Sequence, residues 1–343
     1  MISPLKNYII RNLFLFLITF AFFLIRNELI FGQDKNTNIE MGLQNKVSNA
    51  LLSAYENLLK KQGKNGGLEG SHSIGNTALM LLAFMSNGYF PERGIYGEQI
   101  DSAVCYLLDH NNLNQGYMAS SAQGMYEHAL STLALAEVWG MSSRSNRIEN
   151  ALKKAVSVIS IAQHPSGGWR YNPDGSDHDS SVTALVLIAL LASNEAGIRV
   201  DENIIKKGIE YLQKCQDTES GGYGYQDYST PGLGRTGACT LVMIMKNENE
   251  EIIERGIKYI NGANLKQLEQ IDYFYYSQYY IALVMNKVNE NELKKWFTNI
   301  QSSILARQKQ DGSFGSIWET CYAIQILSIP KGLLPIFQRS DHN

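Results

Sequence analysis

The chain has little proline, cysteine or histidine. Its 343 residues include seven prolines, and nowhere do apolar and polar residues alternate with the period of two that marks a half-buried strand. The four cysteines, Cys105, Cys215, Cys239 and Cys321, lie far apart with no Cys-x-x-Cys pair, which excludes a zinc ribbon or a dithiol redox motif. All four fall inside apolar helical patterns, as buried thiols do, and disulfides stay open. The six histidines are scattered without metal-ligand spacing, so no metal is expected. There is no Gly-x-x-x-x-Gly-Lys phosphate loop, no Gly-x-Ser-x-Gly elbow and no His-Glu-x-x-His, and no cofactor is expected. A net charge of −3 without a basic stripe excludes nucleic acid as a partner.

Long apolar runs are scarce too, with one informative exception. Lys6 and Arg11 precede the thirteen-residue run from Leu13 to Ile25, which Arg26 and Glu28 then interrupt. A comfortable membrane span needs about 20 residues. The layout predicts an export signal over residues 1–33, or an N-terminal anchor, followed by a linker over 34–50. Its removal takes away three positive charges and one negative, moving the net charge from −3 to −5. The domain is expected to be exported, periplasmic or extracellular; a peripheral membrane contact stays open, and no protein partner is indicated.

What the chain does have is repetition. Outer segments end in Gln62, Asn111, Gln163, Gln216, Asn264 and Gln308, spaced 49, 52, 53, 48 and 44 residues apart. Glycines and an aromatic or Leu follow most of these anchors, and the fifth copy loses its glycines. After each turn comes a second apolar run: NTALMLLAFM, EHALSTLALAEVW, VTALVLIALLA, GACTLVMIM, QYYIALVM and ETCYAIQIL. These runs are apolar nearly all round, as buried helices are, whereas NALKKAVSVI keeps its lysines on one face. Each repeat reads as outer helix, glycine turn, inner helix, and no hairpin can bury its own face. The expectation is one all-α domain over 51–335, an (α/α)6 toroid around a central cavity, with a tail at 336–343.

The element in Lys154-Ala155…Gln163…Gly167-Gly168-Trp169, repeated in Lys207-Gly208…Gln216…Gly221-Gly222-Tyr223, resembles the repeat of squalene cyclases and protein prenyltransferase β-subunits. Over nearly the whole chain after the leader it is most similar to bacterial single-toroid proteins carrying the prenyltransferase/squalene-oxidase repeat. The resemblance implies the toroid and little about function, because the repeat chiefly builds a scaffold. The anchors themselves read as structural: Gln satisfies helix-end backbone groups, and Gly supplies a left-handed turn.

Inner helices in such a ring begin at one end, so their first residues converge on a mouth. The candidates there are Asn76, Glu127, His128, Asp177, His178, Asp179, Arg235, Tyr275, Gln278 and Glu319. Cyclases of this kind start by protonation from an Asp-Xaa-Asp-Asp motif followed by Thr-Ala. Aligned on Thr183-Ala184, Ser181 and Val182 replace the two adjacent aspartates and only Asp179 keeps a place; read from Asp177 instead, the stretch is Asp-Xaa-Asp-Ser and lacks the last carboxylate. The resemblance implies Asp179, helped by Asp177 and His178, as the acid, which needs a pKa raised by burial. An Asp directly before an apolar run is equally an N-cap. The prenyltransferase zinc set is broken, with Phe274 in its Cys position and Glu319 where its His belongs, so protein prenylation is not expected. Six aromatics crowd residues 273–280, and Tyr275, Tyr276 and Tyr279 are the candidates for facing the cavity, through cation–π contacts or packing. The expected ligand is a hydrophobic small molecule, polyprenyl or terpenoid-like, bound and conceivably cyclised. The alternatives are a non-catalytic interaction module, or a glycan site with Glu127 and Asp179 as paired carboxylates.

Overall fold

The computed structural model describes residues 42–334, apart from residues 123 and 228. The expected signal or anchor and the tail lie outside the described residues. Among those described, no helix is long and apolar enough to cross a membrane. The chain divides into two units, 1–50 and 51–343. The described part of the first, 42–50, is the beginning of a helix, α1 (42–59), that starts within the stretch expected to be a linker.

The second unit is built of helical hairpins. The outer helices are the later turns of α1, then α3 (Gly97–Leu113), α5 (Ser145–Ile161), α7 (Glu202–Lys214), α9 (Glu250–Asn261) and α12 (Glu290–Ala306). The inner helices are α2 (Ser73–Met85), α4 (Gly124–Val138), α6 (Ser180–Glu195), α8 (Leu233–Met245), α11 (Phe274–Val288) and α13 (Ile317–Ser328). Each inner helix packs on the next, α2 on α4, α4 on α6, α6 on α8, α8 on α11 and α11 on α13, and α13 returns to α2. The ring is closed, an (α/α)6 toroid. Inner helices are buried on nearly every residue, while α9 buries little beyond Gly256 and Ile260. They start two to four residues earlier than their apolar runs.

The anchors stitch neighbouring repeats. Gln163 Nε2 donates to Gly167 O at 2.8 Å and to Ile204 O, in the next outer helix, at 2.9 Å. Gln62 does the same with Gly66 and Gln99, Asn111 with Gly116 and Ala151, and Gln216 with Gly221 and Ile252. Gly167 has φ +102°, and a Cβ there would lie 2.2 Å from Lys207 O. Left-handed backbone and close approach to a neighbouring helix both demand glycine. Between the last turn and α1, Asn57 Nδ2 donates to Asp311 O at 3.0 Å, so the outer layer closes as well. In the fifth copy Asn264 instead caps an extra helix, α10 (Leu265–Glu269), through a capping box.

A second stitch escaped the sequence reading. Thr77, Thr183, Thr236 and Thr320 each accept, through Oγ1, the backbone N–H of the residue that ends the glycine turn: Leu68, Trp169, Tyr223 and Phe314. The Thr of Thr183-Ala184 is thus a hinge pin between turn and inner helix. The four cysteines are free thiols, with Cys105 half-buried and the other three buried.

Candidate functional site

The first turns of all six inner helices enclose a cavity of about 550 Å3 at one end of the ring. Its wall is aromatic and aliphatic: Leu79, Tyr126, Leu130, Tyr276, Trp318 and Tyr322. Two loop tyrosines, Tyr171 and Tyr225, continue it. Polar groups sit around them, with His72, Asn76 and Glu127 on the α2–α4 side and Arg235 and Ser277 on the α8–α11 side. Glu127 on α4 and Arg235 on α8 stand two places apart in the ring of six, with α6 between them, so the acid and the guanidinium line different sides of the mouth. Volume and lining are those of a small-molecule site.

Glu127 is 3 % exposed. Its Oε2 accepts from Gly75 N at 3.0 Å, Ser120 N at 3.3 Å and Ser120 Oγ at 2.7 Å. Oε1 is buried and has no hydrogen-bond partner among the described residues. A Cβ on Gly75 would stand 2.8 Å from Glu127 Cγ, so this glycine is what lets the carboxylate reach the start of α2. Arg235 lies 5.8 Å from the Tyr225 ring centroid, and its Nη2 donates to Thr230 O at 3.0 Å. The Tyr276 hydroxyl is buried without a partner.

Of the residues expected at the mouth, the structure brings Asn76, Glu127, Arg235 and Tyr276 to the cavity, and places eight others elsewhere, among them Gln278, whose Nε2 donates to Leu268 O at 2.6 Å. Asp179 is fully buried behind the wall. It is the N-cap of α6: Oδ1 accepts from Val182 N at 2.9 Å, and Oδ2 accepts from Tyr225 Oη at 3.0 Å. Burial pushes its carboxyl above the ordinary range, partly countered by these hydrogen bonds. Tyr225, which lines the cavity, stands between it and the carboxyl, and its Oη lies 2.9 Å from Tyr171 Oη. Asp177 points away, pairing with Arg170 and accepting from its neighbour's backbone N–H, which holds its carboxyl below the ordinary range. His178 packs against His164 and the Tyr211 ring, outside the cavity.

His128 takes the place of the stitching threonine in its repeat: Nδ1 accepts from Met118 N at 3.1 Å and Nε2 donates to Ala155 O at 3.1 Å. Burial pushes its pKa down to about 4, so it is a neutral structural imidazole. Glu127 and His128 are adjacent in sequence and one helical residue, about 100°, apart in direction, which is why one reaches the cavity and the other does not. On α11, Tyr275 turns to Phe314, and Tyr279 lies below the wall between Tyr280 and Tyr322. Glu319 closes a capping box with Ser316 at the start of α13.

Sequence reasoning missed Tyr126, Tyr171, Tyr225, Trp318, Tyr322 and His72. Two of these left a signal, since Trp169-Arg170-Tyr171 and Tyr223-Gly224-Tyr225 put a second tyrosine two places after the repeat's aromatic. No such regularity marks His72.

The chain is therefore an all-α (α/α)6 toroid with a lined cavity at the inner-helix N-termini. Solved structures of similar architecture include an α-1,6-mannanase from Salegentibacter sp. HEL1_6, at 11 % identity and TM-score 0.63, covering 84 % of this chain and 99 % of that one. The type II terpene cyclase MstE from Scytonema, in complex with merosterolic acid A, aligns at 15 % identity and TM-score 0.58, covering 86 % and 99 %. A protein from Actinoplanes aligns at 14 % and 0.59, covering 82 % and 98 %. At these identities the likeness carries the fold alone. The chain matches no protein-family model and no curated protein.

Proposed function

We propose that this is an exported toroid whose central cavity binds an amphipathic small molecule, with an apolar, terpenoid-like body against the aromatic wall and a polar end toward Glu127. The observation that supports this is the cavity's division. Tyr126, Tyr276, Trp318 and Tyr322 offer ring faces, while the buried Glu127 Oε1 lacks a hydrogen-bond donor. An unsatisfied buried acceptor costs about 1–3 kcal/mol, which a ligand's O–H or N–H would recover. If the ligand is protonated for cyclisation, Asp179 acts through Tyr225 and not by touching it, since its carboxyl is covered.

Native mass spectrometry of protein purified from its own host, with lipid extraction of whatever co-purifies, tests this reading. A bound isoprenoid or similar amphiphile is the expected result. A bound oligosaccharide would replace it with the glycan reading, and a cavity that returns empty and takes up no isoprenoid alcohol would overturn it.

A further inference from the structure

His72 holds the N-cap position of α2 yet makes no side-chain bond to that helix. An N-cap side chain ordinarily accepts one of the first free backbone N–H groups. Here the neighbouring repeat performs that task, with Gly75 N–H donating to Glu127 Oε2 and Ile74 N–H to Ser120 Oγ at 3.3 Å. His72 is thereby released from capping. Its Nδ1 lies 2.9 Å from Ser121 Oγ and 3.5 Å from Glu127 Oε1, the buried oxygen that otherwise has no partner.

Electrostatics then decides the tautomer. A lone pair on Nδ1 would face the lone pairs of a carboxylate, whereas an N–H there faces an unsatisfied acceptor. The proton belongs on Nδ1, with Ser121 Oγ as its near acceptor. Nε2 is left as an acceptor on a ring that lines the cavity and is 45 % exposed, with no partner among the described residues.

The geometry points to His72 as the proton-transfer residue of the cavity, with Glu127 as the positioning residue that fixes its tautomer. A hydroxyl at the ligand's polar end, or a water beside it, donates to Nε2. As that oxygen bonds to an electrophilic carbon, such as an ester carbonyl, its proton passes to Nε2. The resulting imidazolium keeps Nδ1–H toward the Glu127 carboxylate and returns the Nε2 proton to the departing oxygen, so charge and atoms balance. The substrate class is an ester or acyl compound with an apolar body. This rests on the reading of the cavity as a ligand site, but the tautomer does not, since it is read on the ligand-free protein.

Nitrogen-15 NMR of the histidine side chains in the full chain, assigned with His72→Gln, reads the tautomer. The expected result is Nδ1–H in the wild type and a flip to Nε2–H in Glu127→Gln, because the glutamine amide donates to Nδ1 while its oxygen keeps the cap on α2. With p-nitrophenyl acetate as probe, His72→Gln is expected to lower the hydrolysis rate about tenfold or more, and Glu127→Gln to lower kcat with KM little changed. Nε2–H in the wild type, or an ester rate that His72→Gln leaves unchanged, would overturn the proposal. Should Glu127→Gln fail to fold, the wild-type tautomer and the His72→Gln rate still decide. A cavity that returns empty and takes up no isoprenoid alcohol, together with Nδ1–H and a His72-dependent ester rate, would sink the terpenoid-like ligand and leave His72 as the proton-transfer residue toward small esters.

Discussion

At the scale of single residues, the same chemical groups do different work according to which side of a helix they leave. Glu127 faces the cavity and His128, one residue on, ties the turn at Met118 to the outer helix at Ala155. That buried imidazole makes stability depend on pH in a definite direction. Unfolded, it takes a proton near 6.5; folded, only near 4. Its contribution is whole above pH 6.5 and is lost as pH falls toward 4, by roughly 3 kcal/mol in all. Asp179 works in the opposite sense, because its raised carboxyl contributes most below the ordinary 3.8 and loses that contribution as pH rises. His128→Thr, which restores the acceptor used in four other repeats, isolates the histidine. Urea unfolding should show a much smaller loss between pH 6.5 and 4 in the variant than in the wild type. Equal losses would mean that His128 is not the buried neutral group.

At the scale of the element, five of the six repeats are held by a glycine turn, and not all glycines carry the same demand. Gly167 and Gly197 both have positive φ, +102° and +83°. A Cβ on Gly197 meets nothing within 4 Å, so Gly197→Ala bears only the left-handed backbone cost of about 1–2 kcal/mol. On Gly167 the same atom would meet Lys207 O, the backbone of the next outer helix, which cannot swing aside. Gly167→Ala should cost about 3 kcal/mol or more, because the hairpin must separate from its neighbour. Thermal melts of the two variants, side by side, check the ranking. A Gly167→Ala protein as stable as Gly197→Ala would show that the inter-repeat contact is slack.

At the scale of the molecule, closure separates this ring from an open stack of hairpins. An open stack frays from its ends, since a terminal repeat has one neighbour. Here α13 packs on α2, and Asn57 bonds Asp311 across the join, so residues 51–334 have no terminal repeat. Single-tryptophan variants retaining Trp169 or Trp296, both buried but in different repeats, should unfold at one denaturant midpoint. Two separated midpoints would indicate that the ring opens before it melts.

The anchors Gln62, Asn111, Gln163, Gln216 and Gln308, the glycine turns and the all-round apolar runs specified the fold in the sequence, because each is a local requirement repeated at nearly constant spacing. The mouth was legible as a place, since helices of alternating direction must begin together at one end. Its membership was not. Asp177-His178-Asp179 stands where a catalytic acid was expected, yet Asp179 is covered by Tyr225, Asp177 pairs with Arg170 and His178 packs on Tyr211, outside the cavity. His72 carries no sequence signal at all. It becomes a candidate only because Glu127 and Ser120, 55 and 48 residues further along, cap its helix and free its ring. Periodicity determines which helices form and which faces they bury; which side chain meets which across the cavity depends on contacts between repeats, and these exist only once the ring has closed.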